Sequence, residues 1–331
     1  MLSKYEKIEK LKKGEVMEEI PVSLWKHFPI DDLKAESLCA RHLELQRRFD
    51  LDLVKFSPSG GYAPMAFGAE IEYYNSIEGA PRVKKYRINT VEDWEELEEL
   101  DVQEGILGEM LRGVELYAKT TDDSIPFIET VFSPITIAHK LSGKRLLKDL
   151  RTEPDALRQA LEVISRTMKE FSKAALDMGA SGIFFATQLA SYDWLSEEEY
   201  RAFGFKYDLP ILQSIQKRAF FNVLHIHGMN IMFDLLGSNY PVTAVNWHDR
   251  RTSPSLKEAF RKFSGVLIGG LNEMETLTVC TLEVVREEVL DAISQTGGRR
   301  LILGPGCVIP LNAAIGNLEE VVKTARESVG S

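Results

Sequence analysis

The feature that most restricts what this chain can fold into is an alternation of short apolar runs with longer segments whose apolar residues recur at helical spacing. The runs fall at residues 20–25, 52–57, 126–132, 182–187, 221–226, 242–247, 265–270 and 300–303. They are apolar nearly throughout rather than at every second position, as strands buried on both faces of a parallel sheet are. Eight strand–helix units point to an α/β fold, a TIM (β/α)8 barrel, with an open doubly wound sheet as the weaker alternative. By length, 331 residues could divide into two domains, but barrels of this kind run as long in one unit, so a single domain over 1–331 is expected. One interruption stands out after the second run. Within about 67–100, segments 70–74 and 83–87 flank Glu78-Gly79-Ala80-Pro81 and read as a small inserted hairpin, followed by an acidic stretch at 91–101 that reads as a solvated helix face. Helices are expected over 4–17, 35–49, 106–119, 136–150 and 154–178, and Ser196-Glu197-Glu198-Glu199 is a capping-box start to another.

Charge narrows the partners. A net charge of -10 with no basic cluster argues against nucleic acid and against an anionic membrane surface, leaving a small-molecule substrate. Cys39, Cys280 and Cys307 are scattered and odd in number, which is no disulfide framework and suits a reducing compartment. No leader-like apolar region and no membrane-spanning run is present, so the expectation is a soluble, cytoplasmic protein.

A barrel gathers its chemistry at the C-terminal ends of its strands. There the fifth run ends in His225-Ile226-His227-Gly228, where residues two apart on a strand send both imidazoles to one face. The last run stops in Gly304-Pro305-Gly306-Cys307. Two imidazoles and a thiolate with a fourth position open are a set that catalytic zinc takes, so His225, His227 and Cys307 are the candidate metal ligands. A strand-end histidine held by hydrogen bonds and a buried cysteine are the plain alternatives for each residue taken alone. His248 and Asp249 follow the sixth run as candidate acid/base groups or groups that orient the ligands, and Lys26 and His27 follow the first as groups that could hold an acid. Ser57, Ser59, Gln188, Tyr192, Asn230 and Asn246 complete a candidate substrate pocket. His42 and Cys39, on a helix, read as structural, and Trp247 as a barrel-wall aromatic.

Several of these stretches carry a resemblance. His225-Ile226-His227-Gly228, Gly306-Cys307-Val308-Ile309-Pro310 with Asn317-Leu318 after it, Pro21-Val22, and Phe67-Gly68-Ala69-Glu70-Ile71-Glu72 together resemble the uroporphyrinogen decarboxylase superfamily over nearly the whole chain. The resemblance implies a TIM barrel with its pocket at the C-terminal end, and two branches: cofactor-free decarboxylases of haem biosynthesis, and zinc-dependent, corrinoid-linked methyltransferases acting on a thiol such as coenzyme M. The decarboxylases hold their tetrapyrrole with two arginines, an aspartate, a tyrosine and a histidine. This chain has Lys26 at the first arginine's place, nothing at the second's, Pro58 for the aspartate, about Lys140 for the tyrosine and Gly306 for the histidine. The methyltransferases carry His-x-Cys and a Gly-Cys-x-x-Pro turn; His225 and Cys307 match, and His227 stands in place of the first cysteine. A neutral imidazole in place of a thiolate leaves zinc more positive and more accepting of an oxygen ligand. The expected function is thus zinc-dependent methyl transfer, with corrinoid as substrate or as a cofactor borne by a partner protein. The alternatives are a metal-independent decarboxylase or lyase on another carboxylate, and a non-catalytic binder of a corrinoid or tetrapyrrole. The resemblance alone points to a homodimer.

Overall fold

The computed structural model describes residues 2–121 and 124–327. Seven parallel strands form one curled sheet in chain order: β1 (Val54–Phe56), β4 (Phe127–Phe132), β5 (Gly182–Thr187), β6 (Val223–Ile226), β7 (Ala244–Trp247), β8 (Val266–Leu271) and β9 (Leu301–Pro305). The two remaining strands, β2 (Glu70–Glu72) and β3 (Arg82–Lys85), pair antiparallel as the expected insert.

The first run, residues 20–25, which would supply the barrel's eighth strand, does not form a regular ladder strand, and its pairings show why. Pro21 has no N–H to give, and the Val22 N–H goes to the Asp52 carboxylate at 3.0 Å instead of to a backbone carbonyl. The segment is nonetheless tied to both edges of the sheet. On one side Leu303 N donates to Pro21 O and Ser23 N to Leu303 O; on the other Asp52 N donates to Val22 O. Barrel closure is therefore made by these bonds and one carboxylate.

Helices pack around the sheet, and their deviations from expectation are local. The helix expected at 136–150 is two, Pro134–Ser142 and Arg145–Thr152, broken at Gly143. Gly143 has φ 60°, and a Cβ there would lie 2.8 Å from the Tyr86 ring of the insert, so glycine is required where insert and barrel meet. The first helix stops early, at Lys12. In the acidic stretch only Glu92–Glu95 is helical, pinned by the buried Trp94, whose Nε1 donates to Asp149 at 2.8 Å. Ser196 caps its helix as expected, accepting from the Glu199 backbone N–H. Among the described residues no helix is long and apolar enough to cross a membrane.

Register decides what meets inside. Parallel neighbours in register point the same way, so Phe184 on β5 pairs with Val223 while His225 on β6 sits between Ala186 of β5 and Asn246 of β7. The polar pair His225 and Asn246 is thus built by strand pairing alone.

Candidate functional site

At the C-terminal mouth of the sheet four side chains converge. His225 is the penultimate residue of β6, His227 directly follows that strand, His248 follows β7, and Cys307 lies in the turn after β9. Their ligand atoms all lie within 4.8 Å of one another, a group that could hold a metal ion. His227 Nδ1 is 3.3 Å from His248 Nε2 and 3.6 Å from Cys307 Sγ, and Cys307 Sγ is 3.8 Å from His225 Nε2. Tetrahedral ligation at roughly 2.0 to 2.3 Å per bond separates two nitrogens by about 3.3 Å and a nitrogen from a sulfur by about 3.6 Å. These three separations therefore match tetrahedral edges.

Surrounding hydrogen bonds aim their lone pairs. The Asn246 amide nitrogen donates to the Ile268 and Pro305 carbonyls, at 2.9 and 3.0 Å, which assigns its oxygen as the acceptor facing His225 Nδ1 at 2.6 Å. His225 thus keeps its proton on Nδ1 and turns a bare Nε2 to the cluster. His248 is fixed in the same sense: its Nδ1 donates to Glu273 Oε1 at 3.0 Å, leaving Nε2 bare. Glu273 in turn accepts from the Gly306 N–H at 3.1 Å and from Arg251 at 3.3 Å, so one buried carboxylate ties the His248 ring to the turn that carries Cys307. Carboxylates and carboxamides behind histidine ligands do this work in metal sites generally.

Burial explains the electrostatics. It pushes the His225 imidazole well below its ordinary value and His227 down to about 4, and pushes the Cys307 thiol up to about 12. Without a cation, the neutral rings of His225 and His227 and an un-ionised thiol are packed against the His248 ring. A bound cation resolves that arrangement, and the N3S donor set fits a borderline metal such as zinc.

The cluster forms one wall of a cavity of about 150 Å³, whose other sides include Trp25, His27, Phe132, Phe184, Gln188, Lys55 and Lys140. Of the two lysines Lys55 is buried and Lys140 half-buried, and lysines are seldom so enclosed. Lys55 Nζ donates to Ser57 Oγ at 2.8 Å and lies over the Phe184 ring; Lys140 Nζ donates to the Gly60 carbonyl at 2.8 Å and lies over Phe132. Burial lowers both ammonium groups to about 8. Among the described residues neither makes an ion pair. Glu129, on the strand next to Lys55, has a fully buried carboxyl with both oxygens unpartnered; burial raises it well above the usual range and the Lys55 ammonium opposes that rise. The cavity that the cluster borders is thus also lined by two ammonium groups without an ion-pair partner among the described residues.

The other expected residues divide. His27 and Gln188 line the cavity. Asn246 stands behind His225, Ser57 behind Lys55, and Ser59 beneath Tyr73 of the insert, its Oγ–H donating to the Tyr73 hydroxyl oxygen at 2.8 Å. Lys26 faces away, into a separate groove of about 300 Å³ with Arg41, Phe49 and Ile315. Asp249 also turns away and accepts from the Gly270 N–H at 3.0 Å, bracing β8. Tyr192 and Asn230 form an outer loop pair, the Tyr192 N–H donating to the Asn230 carbonyl and the Asn230 side chain to Asp193, and neither lines the cavity. His42 is structural as expected, its Nδ1 at the Leu38 carbonyl and its Nε2 accepting from the Ser57 N–H. Trp247 is a buried wall aromatic packed on Phe233. Lys55 and Glu273 are the residues that sequence reading passed over. A lysine inside the apolar run Val54-Lys55-Phe56 was the available signal for the first.

The profile of the uroporphyrinogen decarboxylase (URO-D) family matches residues 15–328. Two methylcobamide:CoM methyltransferases MtbA are 24% identical to the chain: that of Methanosarcina acetivorans over 274 residues, and that of Methanosarcina mazei over 277, each covering 80% of this chain and 78% of its own. Among solved structures, a methyltransferase from Methanosarcina mazei superposes with a TM-score of 0.84 at 19% identity, covering 99% of both chains. A B12-independent methionine synthase from Shewanella sp. W3-18-1 superposes at 0.59 and 13%, covering 94% of this chain and 97% of its own. These two likenesses establish the barrel fold.

Proposed function

The chain belongs to the uroporphyrinogen decarboxylase family, and from that membership we propose that it is a zinc-dependent methyltransferase that moves a methyl group from a corrinoid to a small nucleophile, a thiol by preference, in the cavity at the mouth of the barrel. The observation that carries this reading is the meeting of His225, His227, His248 and Cys307 within 4.8 Å of one another, with His225, His227 and Cys307 on the wall of that cavity. The likeness to proteins named as methylcobamide:CoM methyltransferases supports the choice of reaction.

His225, His227 and Cys307 would hold the zinc, with His248 as the fourth ligand when no acceptor is bound. Zinc so held supplies Lewis acidity that lowers the proton affinity of a bound thiol or hydroxyl. The chain's own groups do the rest. Asn246 and Glu273 keep the His225 and His248 rings in the tautomer that faces the cluster. Lys55 and Lys140 hold an anionic group of the acceptor at the far side of the cavity and so orient its nucleophilic atom toward the cluster. Trp25, Phe132 and Phe184 exclude water around it.

The decarboxylase alternative is less well supported. Pro58 lines the cavity where a carboxylate would be needed for pyrrole N–H groups. The test is elemental analysis of protein purified without added metal, with methyl transfer from methylcobalamin to mercaptocarboxylates and mercaptosulfonates followed in parallel. Near one zinc per chain, lost in H225A/C307S, with thioether formed, is expected. Zinc-free protein, or carbon dioxide release that persists in chelator, overturns the reading.

A further inference from the structure

His27 and Asp32 face each other across the wall opposite the metal-binding cluster, and each holds a buried polar atom with nothing to bond to. His27 Nδ1 and Asp32 Oδ2 are both enclosed, both without a hydrogen-bond partner, and 3.6 Å apart. That is outside hydrogen-bond range, and two orphaned buried groups are costly unless something brings them together. The other edge of the His27 ring looks into the cavity: its Cε1 and Nε2 lie 3.8 Å from the point where a Gly60 side chain would begin, with Lys140 Nζ 3.9 Å from the same point. Asp32 is itself held. Its Oδ1 accepts from the Tyr73 hydroxyl, its backbone carbonyl accepts from the Ser59 N–H at 3.0 Å, and Tyr73 directly follows β2 in the insert.

We infer that His27 is the group that takes the proton from the incoming nucleophile, and that Asp32, clamped by Tyr73, is its positioning residue. The inference rests on the methyl-transfer reading above. The negative charge of Asp32, 3.6 Å away, draws the His27 proton to Nδ1 and leaves Nε2 as a lone pair in the cavity. The nucleophile's S–H or O–H bond breaks and an N–H bond forms at Nε2. The imidazolium then closes on Asp32, which converts the 3.6 Å gap into a charge-assisted hydrogen bond. The freed electron pair forms the new bond to the methyl carbon, the bond from methyl to the donor corrinoid breaks with its pair left on the corrinoid, and His27 returns its proton to water.

The cavity's charges make this base conditional on the substrate. Besides Asp32, the ionisable groups around His27 are Lys55, Lys140, the neutral His42 behind it and Glu78 at the cavity rim. Burial first, and the two ammonium groups after it, weaken His27 as a base, with Asp32 opposing them. An anionic acceptor seated between the lysines cancels their field, so His27 gains proton affinity when a substrate is there to deprotonate. Tyr73 gives the insert a part in the same device, because it orders the carboxyl group that orders the histidine.

The experiment has two arms on zinc-loaded protein at pH 7. In the first, long-range 1H–15N spectra of histidine-labelled protein, with His27 assigned by H27Q, read the tautomer directly. The expected result is Nδ1–H in the wild type and in Y73F, and a mixture of tautomers in D32N. An Nε2–H tautomer in the wild type overturns the pairing with Asp32 whether or not the protein transfers methyl groups. In the second, methyl transfer from methylcobalamin is measured with an aliphatic mercaptocarboxylate and a more acidic aryl mercaptocarboxylate of equal charge. H27Q should lose about 100-fold in kcat with little change in KM for the aliphatic thiol, and recover as the thiol becomes more acidic. D32N should follow it and Y73F should fall a few-fold. An H27Q deficit equal for both thiols would make His27 a structural or binding group and overturn the inference. Failure of the wild type to transfer methyl to any thiol would instead defeat the methyl-transfer reading, with the spectra still reporting on the dyad.

Discussion

Glu273 and His248 are joined so that one carboxylate serves two ends of the site: Oε1 takes the His248 Nδ1 proton while Oε2 takes the backbone N–H of Gly306, next to Cys307. Burial alone would raise this carboxyl, and the hydrogen bond from His248 together with Arg251 holds it below the usual range. Replacing Glu273 by Gln therefore removes both the charge behind His248 and part of the tether on the cysteine turn. A loss of about 10- to 100-fold in zinc affinity is expected, read by chelator competition. An unchanged affinity would mean that His248 is not a ligand.

His227→Cys restores the thiolate that relatives of the methyltransferase branch are expected to carry at that place. A second anionic ligand should tighten zinc binding at neutral pH and make the metal less acidic toward a bound oxygen. Transfer to a thiol should survive this change better than transfer to a hydroxyl. Zinc affinity and the rates with a matched thiol and alcohol decide it, and His227 is no ligand if none of the three moves.

The buried lysines give a pH dependence with a definite sign. Each is lowered from 10.5 to about 8 in the fold, so between those values the unfolded chain binds more protons and stability rises with pH. Below about 8 the enclosed ammonium groups cost the fold about 3 kcal/mol apiece. K55M should therefore be more stable than wild type at pH 7, by about 1 to 3 kcal/mol after loss of the Ser57 contact, and the difference should fade as pH rises from about 8 towards 10.5. Denaturant midpoints at pH 7 and 9.5 measure it. In the wild type the KM for an anionic acceptor should rise above about pH 8, as the same charges are lost.

Incubation with uroporphyrinogen under anaerobic, reducing conditions should yield no coproporphyrinogen, because the resemblance to the decarboxylases puts Pro58 and Gly306 at the places of their aspartate and histidine. Turnover above the uncatalysed background would overturn that.

How much of this was readable beforehand follows from which physical signals survive in one dimension. Strand period brought out His225 and His227, and Gly-flanked turns brought out Cys307, because both are local rules. The side to which a loop residue faces is not local. Lys26 and His27 are adjacent in sequence, yet one enters a groove beside the helix Ala35–Phe49 and the other the cavity. Tyr192 and Asn230 satisfy each other's loops on the outside for the same reason. Asp32 gave no sign at all, since its importance lies in a histidine five residues before it and a tyrosine forty-one residues after it. The eighth strand was legible as a run but not as irregular, because the carboxylate that replaces a ladder bond comes from Asp52, thirty residues on.

Gly306 carries a consequence for how such a chain could change its chemistry over time. A Cβ there would fall 2.8 Å from the His248 Cα, 3.0 Å from Glu273 Oε2 and 3.2 Å from the Trp247 carbonyl. Backbone lies on two of those three sides, so no rotamer of a larger residue relieves the overlap. The histidine that the decarboxylases carry at this position is therefore not one substitution away. Any lineage passing from this site to that one would first have to dismantle the His248–Glu273 pair, giving up one chemistry before the other became reachable.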